Sequence, residues 1–209
     1  YFNGQGITIY EEAYWNIDGF TVNGSNIEIN GLGYGGYSGK ATHDISVKNN
    51  EVMNYAAMGG GNPGTIRIVS APDMTAAATQ KGPYNIFIEG NKIHDMAAIG
   101  CDASQVMVLT NCNEAGPNGL AGRKTWNTTT DVEHVSGIAI INCHNPDKSC
   151  ATGYVEIKNN TFYNLPSAFY FKQPGPGPVL VQGNTIYSTQ RVGTWTISNV
   201  IFERNLVYE

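Results

Sequence analysis

The sequence predicts an all-β protein wound as a parallel β-helix, a solenoid of about six coils with three short strands in each coil. Two observations predict this fold. One asparagine-centred phrase recurs five times along the 209 residues, and a second family of short alternating strands falls between its copies. Where the copies follow one another most closely, a unit has about 20 to 25 residues, the length of one turn in many solenoids. We expect residues 1–209 to form a single domain, as a piece of a longer chain.

The repeated phrase reads apolar, polar, turn-former, asparagine, any residue, apolar. Its asparagines are Asn50, Asn91, Asn160, Asn184 and Asn205. A degenerate earlier copy places Phe20 at the asparagine position. Asparagines stacked at the same bend can exchange amide hydrogen bonds, so the phrase predicts a structural asparagine ladder. The preceding residue is mostly glycine or asparagine, which tolerate a left-handed φ, and Arg204 is the exception.

The second strand family alternates apolar with polar or small residues, which is the period-two pattern of a half-buried strand. We expect its inward side chains to stack as one apolar column: Ile9, Ile29, Ile68, Ile140, Phe171 and Ile197. The strand before each asparagine would supply another column: Val47, Ile88, Ile157, Val181 and Phe202. A β-sandwich is the rival fold, but sandwiches rarely repeat an asparagine corner at one register.

The composition argues against two classes of partner. Charged residues make up 14% of the chain and the net charge is -5, whereas binding to nucleic acid requires basic patches. No continuous apolar run reaches the roughly 18 residues that a membrane-spanning helix needs.

The cysteines are spaced for two local bridges, Cys101–Cys112 and Cys143–Cys150. Four free thiols are the alternative, and the absence of a C-x-x-C spacing argues against zinc. Glycosylation triplets begin at Asn23, Asn127 and Asn159. Together these features agree with an extracellular or cell-surface location.

The I-x-[NG]-N-x-I phrase resembles that of the right-handed parallel β-helix superfamily, which includes the pectate-lyase-like proteins. The resemblance covers most of the chain and implies right-handed winding. Lyases, hydrolases, epimerases, tailspikes and adhesins share this fold, so the phrase implies architecture rather than one chemistry. It also implies a substrate groove along the second strand family. Loop insertions are expected there at about 30–44, 69–84, 97–135 and 141–153.

Alternation places Glu28 and Arg67 side by side on the outward face of this strand family, with Tyr170 and Lys172 farther along. A lyase acting on an acidic polysaccharide needs a base, a cation for the uronate carboxylate and often Ca²⁺. The resemblance implies Lys172 or Arg67 as the base or neutralising cation. Glu28, Tyr170 and Trp126 would bind substrate.

A bound Ca²⁺ is a possible cofactor, with Glu28, Asp44 and Asp73 as candidate ligands, although no D-x-D motif supports it. Each candidate also has a structural interpretation. Glu28 with Arg67 would be a surface ion pair worth under about 1 kcal/mol. Lys172 would be a solvated residue before a Pro-Gly turn.

Other polar and aromatic residues have two interpretations as well. His43 before Asp44 and His94 before Asp95 are expected to be satisfied surface histidines rather than catalytic groups. A tyrosine recurs at one repeat position and would either stack along the solenoid or offer faces to sugar rings: Tyr163, Tyr187 and Tyr208.

Two functions follow from these observations. The first is a secreted carbohydrate-active protein that binds or cleaves a polysaccharide, a lyase being favoured over a glycoside hydrolase because no convincing carboxylate pair is present. The second is a non-enzymatic structural, adhesin or filament subunit. Other copies of the chain would then pair with its uncapped strand edges.

Overall fold

A computed structural model describes residues 2–3, 6–31, 41–58, 64–70, 82–99, 136–141, 152–172, 177–195 and 199–209. The described residues contain strands and no helix. The strands are β1 (Phe2–Asn3), β2 (Ile7–Tyr10), β3 (Asn16–Asp18), β4 (Thr21–Asn23), β5 (Ile27–Asn30), β6 (His43–Lys48), β7 (Glu51–Met53), β8 (Ala56–Met58), β9 (Gly64–Val69), β10 (Tyr84–Glu89), β11 (Lys92–His94), β12 (Ala97–Ile99), β13 (Ser136–Ile141), β14 (Val155–Lys158), β15 (Thr161–Lys172), β16 (Val179–Gln182), β17 (Thr185–Trp195), β18 (Val200–Glu203) and β19 (Leu206–Tyr208).

The strands form three parallel sheets. The largest has eleven strands, in the order β1-β4-β7-β11-β15-β13-β9-β5-β2, with β17 added beside β15 and β19 beside β17. The second has six strands, in the order β18-β16-β14-β10-β6-β3, and β8 pairs with β12 in the third. Each strand therefore pairs with strands from other passes of the chain, and most of the contacts that hold the fold are long-range.

The predicted right-handed β-helix of about six coils with three short strands each is wrong. The strands after the asparagine corner and the second strand family belong to one sheet, which curves into a half-barrel beside the six-stranded sheet. They are joined because β15 and β17 are continuous strands of 12 and 11 residues that pair with both families. Alternation gives the period of a strand, but it does not show where one sheet stops.

The apolar columns form as their alternation predicts, with one shift of register. Val47, Ile88 and Ile157 align on neighbouring strands and are fully buried. In the other family, the backbone of Phe171 aligns with that of Trp195, two residues before the predicted Ile197, which lies outside the described residues. The sequence around β17 offers two overlapping alternating stretches, so periodicity alone did not fix the register there.

The asparagines form a continuous hydrogen-bonded run. The backbone N–H of Asn50 donates to Oδ1 of Asn91 at 2.9 Å, and Asn91, Asn160 and Asn184 each donate in the same way to the next asparagine at 2.9 Å. Each of these side-chain amides also donates to the next Oδ1. At the degenerate copy, the Phe20 N–H donates to Oδ1 of Asn50 at 2.9 Å.

The residue before each asparagine has the expected left-handed backbone. The φ angles are 53° at Asn49, 67° at Gly90, 55° at Asn159 and 67° at Gly183. Arg204, the one exception by residue type, has a φ of 55° and keeps the same conformation. The bend is therefore imposed by the ladder rather than by the preference of the preceding residue.

The disulfide prediction receives no support. No disulfide is found in the part of the chain that the structure describes, and Cys101, Cys112, Cys143 and Cys150 all lie outside it. The predicted loop insertions also lie largely outside the described residues. No helix among the described residues is long and apolar enough to cross a membrane.

Candidate functional site

The first candidate site is the ion pair on the outward face of β5 and β9. Glu28 and Arg67 are register partners, and the Arg67 Nη1 group donates to Glu28 Oε2 at 3.0 Å. The Asn30 amide donates to the other carboxylate oxygen at 3.2 Å. Because the side chains are 15% and 26% exposed, the pair is largely shielded from solvent and is more than a loose surface contact.

Tyr55 is the neighbouring aromatic group at this pair. Its ring packs against the core, and burial raises the pKa of its hydroxyl. The positive charge of Arg67 opposes this rise in the pKa, and the negative charge of Glu28 adds to it. The tyrosine hydroxyl therefore stays protonated at neutral pH and can serve as a hydrogen-bond donor beside the ion pair.

Tyr170 does not offer the open stacking face that alternation predicts. It is 5% exposed, and its register partner Ala139 is fully buried. The outward face is partly exposed at Glu28 and Arg67 and closed around Tyr170. Alternation distinguishes the two faces of a strand, but it does not show that the outward face meets solvent.

Lys172 ends β15 on the same outward side as Arg67. The register runs from Arg67 through Ala139 to Tyr170, and Lys172 lies two residues beyond. Its Cα atom is therefore about 10 Å from that of Arg67 across the sheet and about 7 Å along it. No described residue forms an ion pair or hydrogen bond with its half-buried side chain.

Asp44 is engaged elsewhere and does not join Glu28. It lies on β6, in the six-stranded sheet, where Nδ1 of His43 is 2.6 Å from Oδ2 and the Asn85 amide donates to Oδ1 at 3.0 Å. The hydrogen bond from His43 is the main cause that lowers the pKa of Asp44. No group of three or more potential metal ligands occurs among the described residues, and Asp73 lies outside them.

His94 is satisfied, as expected, but it is buried rather than on the surface. It is 5% exposed, with Nδ1 2.8 Å from Asp95 Oδ2 and Nε2 3.2 Å from Glu51 Oε1. Its ring stacks on Tyr163 at a centroid distance of 4.5 Å. The predicted tyrosine stack is confirmed: Tyr163, Tyr187 and Tyr208 follow at 5.1 and 5.2 Å.

One polar depression was missed by the sequence predictions. It has a volume of about 360 Å³ and is lined by Glu11, Glu12, Ala13, Ala41 and His43, at the turn between β2 and β3. The available signal was the Glu-Glu-Ala-Tyr run directly after a strand. Trp126, the remaining predicted substrate contact, lies outside the described residues.

Comparison with known proteins gives no match: no family model, curated protein or solved structure resembles this chain closely enough to be counted. The resemblance of the asparagine phrase to the pectate-lyase-like proteins therefore stays a prediction.

Proposed function

We propose that the outward face of β5, β9 and the end of β15 binds an acidic polysaccharide. The observation that carries this proposal is Lys172, a cation without a described partner that lies on the same face as the Glu28–Arg67 pair. A uronate carboxylate would pair with the ammonium group. The shielded ion pair, with Asn30 and Tyr55 beside it, would exchange hydrogen bonds with sugar hydroxyls.

Cleavage is the narrower version of this proposal. In β-elimination a base takes the C5 proton, the electron pair forms the C4–C5 double bond, and the glycosidic oxygen leaves C4. Arg67 is a poor base because its guanidinium donates to Glu28 at 3.0 Å and guanidinium groups stay protonated in proteins. In the lyase version the neutral Lys172 amine therefore takes the C5 proton and returns it to the leaving glycosidic oxygen, and Arg67, rather than a Lys172 ammonium, holds the uronate carboxylate.

The test compares Lys172→Ala with Lys48→Ala. Lys48 is 39% exposed and lies on the six-stranded sheet, where it pairs with Glu89 at 3.4 Å, so its removal controls for net charge. We expect Lys172→Ala to weaken polygalacturonate binding by about fivefold and Lys48→Ala to leave it unchanged.

Lyase activity is read in the same samples as new ultraviolet absorbance from the unsaturated product. If the glycan binds and no absorbance appears, the protein binds polysaccharide without cleaving it, and the lyase version of the proposal is wrong. If no acidic glycan binds, or if both variants bind like the wild type, the proposal is wrong.

Within the 209 residues, β18 and β19 form an apolar edge, and a second candidate function, a structural subunit, requires that this edge stays open in the protein. Ile201, Leu206 and Tyr208 are 50%, 58% and 49% exposed there. Open strand edges invite pairing with another strand. Light scattering over a concentration series distinguishes this function from glycan binding by a dispersed monomer.

A further inference from the structure

The depression beside His43 combines an imidazole ring, hydrogen-bonding groups and negative charge, and Tyr14 stands next to it in the chain after Ala13. It lies where β2 turns into β3 against the start of β6, and Glu11, Glu12 and His43 supply its polar lining. A buried residue holds the turn in place: the Glu11 N–H donates to Oγ1 of Thr42 at 2.7 Å. It is a preformed feature of the backbone rather than a gap between mobile side chains.

Tyr14 stands beside this depression in a conformation that its residue type disfavours. Its φ is 64°, and its side chain is 81% exposed. The aligned positions on β6 and β10 hold Asp44 and Asn85, with φ of 55° and 54°, and these residue types adopt left-handed backbone readily. The shared corner imposes this backbone on all three residues, but burial does not explain a tyrosine whose ring is 81% exposed. A bound molecule that uses the ring would explain it.

The aromatic groups also fix the orientation of His43. The His43 ring stacks on Tyr84 at 4.8 Å, and Tyr14 approaches it edge-on at 5.4 Å. Nδ1 is 2.6 Å from Asp44, which places the proton of the neutral ring on Nδ1. Nε2 accepts when the ring is neutral, and no described residue bonds to it.

We propose that this depression is a second sugar-binding subsite, which takes a pyranose ring carrying hydroxyl or ammonium donors and no carboxylate. The apolar face of the ring would stack on Tyr14, while Glu11, Glu12 and Nε2 of His43 would accept its hydrogen bonds. Two glutamates and Asp44 make the surroundings acidic, so a uronate is repelled.

The subsite is distant from Lys172, which carries the polyuronate proposal. The strands between them follow the order β15-β13-β9-β5-β2. Four strand spacings place Lys172 about 19 Å from β2, beside which the depression lies. The Asn30 end of the polyuronate face is closer, because Thr42 accepts from the Glu11 N–H and donates to the Asn30 carbonyl. A Lys172 variant therefore tests one activity without touching the other.

The experiment titrates three trisaccharides into the full chain by calorimetry: cellotriose, which is neutral, the chitosan trisaccharide, which carries ammonium groups, and trigalacturonate. Tyr14→Asn installs a residue type that suits the left-handed backbone, so we expect equal or higher thermal stability with affinity about tenfold weaker. Tyr14→Phe keeps the ring and should keep the affinity. Tyr208→Asn removes an exposed ring at the opposite edge and should leave the affinity for the trisaccharides unchanged.

Tighter binding of the chitosan probe than of cellotriose would show that the glutamates recognise an ammonium group, and equal binding would show recognition of hydroxyls. Lys172→Ala should leave both affinities unchanged. The proposal is overturned if neither probe binds, if Tyr14→Asn binds as well as the wild type, or if trigalacturonate is the probe whose binding depends on Tyr14.

Discussion

At the scale of single residues, the positions before the ladder alternate between glycine and a larger side chain. Along the sheet they run Gly19, Asn49, Gly90, Asn159, Gly183 and Arg204. The alternation is a packing requirement: a Cβ atom at Gly183 would lie 2.6 Å from Oδ1 of Asn159, and one at Gly90 would lie 2.8 Å from Oδ1 of Asn49. Each asparagine side chain occupies the space that the next glycine leaves empty.

This packing predicts different costs for two glycine-to-alanine variants. Gly183→Ala and Gly19→Ala both place alanine at a left-handed φ, 67° and 75°, which costs about 1–2 kcal/mol. A Cβ at Gly19 meets nothing within 4 Å, so backbone strain is its whole cost. Gly183→Ala must also displace Asn159, which adds roughly 1–3 kcal/mol.

Urea unfolding of the two variants measures the difference in unfolding free energy. Gly19→Ala is the matched control because it keeps the strain and lacks the clash. Equal losses of stability would contradict the packing explanation and leave backbone conformation alone as the reason for glycine.

The ladder itself could be predicted from sequence because an asparagine amide both donates and accepts, and a repeated bend stacks identical amides. Asn91, Asn160 and Asn184 are at most 1% exposed, yet each finds its partners within the ladder. Tyr14 could not be recognised in the same way. Its significance depends on a backbone angle and an exposure that no pattern in the sequence reports.

At the scale of strands, the register was predictable wherever the row of polar residues outside and the row of apolar residues inside indicate the same pairing. On the outward face of the six-stranded sheet, neighbouring strands place Asp18, Lys48, Glu89 and Lys158 in one row of alternating charge. A slip by one residue would bury these charges, so the register is strongly specified. Near β17 no such charged row exists, and there the predicted register was wrong.

The merging of the strand families was not predictable from local patterns. In β15, the segment Asn164-Leu165-Pro166 contains turn-forming residues, and Asn164 has a left-handed φ of 51°. These features predict a break between two strands. The structure keeps pairing on both sides, with Leu165 opposite Thr189 and Ser167 opposite Arg191. Hydrogen bonding between distant passes overrides the local preference.

A carboxylate that pairs across two strands makes the stability of the protein depend on pH. Glu51 pairs with Lys92 across β7 and β11, and its Oε1 accepts from Nζ at 3.0 Å. This hydrogen bond, opposed by burial and aided by His94, lowers the pKa of Glu51 below its ordinary value of 4.5. A lowered folded-state pKa stabilises the protein above that ordinary value, and the contribution is lost as the pH falls through the lowered one.

We therefore expect the thermal midpoint to fall as the pH drops from about 5 to 3, and Glu51→Gln to flatten this dependence. Glu12→Gln, an exposed glutamate outside the described ion pairs, is the control. Calorimetric melting at several pH values gives the comparison. Parallel curves for wild type and Glu51→Gln would remove Glu51 as a source of acid sensitivity.

At the scale of the whole molecule, the sequence located the polar part of one outward face but not its limits. Glu28 and Arg67 were placed together because their strands share a register. The burial of Tyr170 and the depression beside His43 depend on how segments distant in sequence pack over each other. That packing is decided by loops and corners, where no periodic pattern constrains the chain.

The open edge of the two large sheets leads to the last prediction. Each of β18 and β19 has a described strand neighbour on one side only, and their apolar side chains are exposed: Ile201, Phe202, Leu206, Val207 and Tyr208. Unpaired N–H and C=O groups beside exposed apolar surface favour strand addition, and lysine on an edge strand opposes it. We expect the 209-residue chain to associate as concentration rises, and Leu206→Lys to shift the association to higher concentration.

The control for this variant is Glu12→Lys, which also adds a lysine, with a charge change of +2 rather than +1, near the opposite edge, where β2 and β3 end the two sheets. Light scattering gives the mass at each concentration, and circular dichroism shows that the strands persist. If Glu12→Lys weakens the association and Leu206→Lys does not, the contact between copies lies at the other edge. A monomer at every concentration would show that the exposed apolar edge alone does not drive assembly, because burying a few half-exposed side chains does not offset the entropy lost on association.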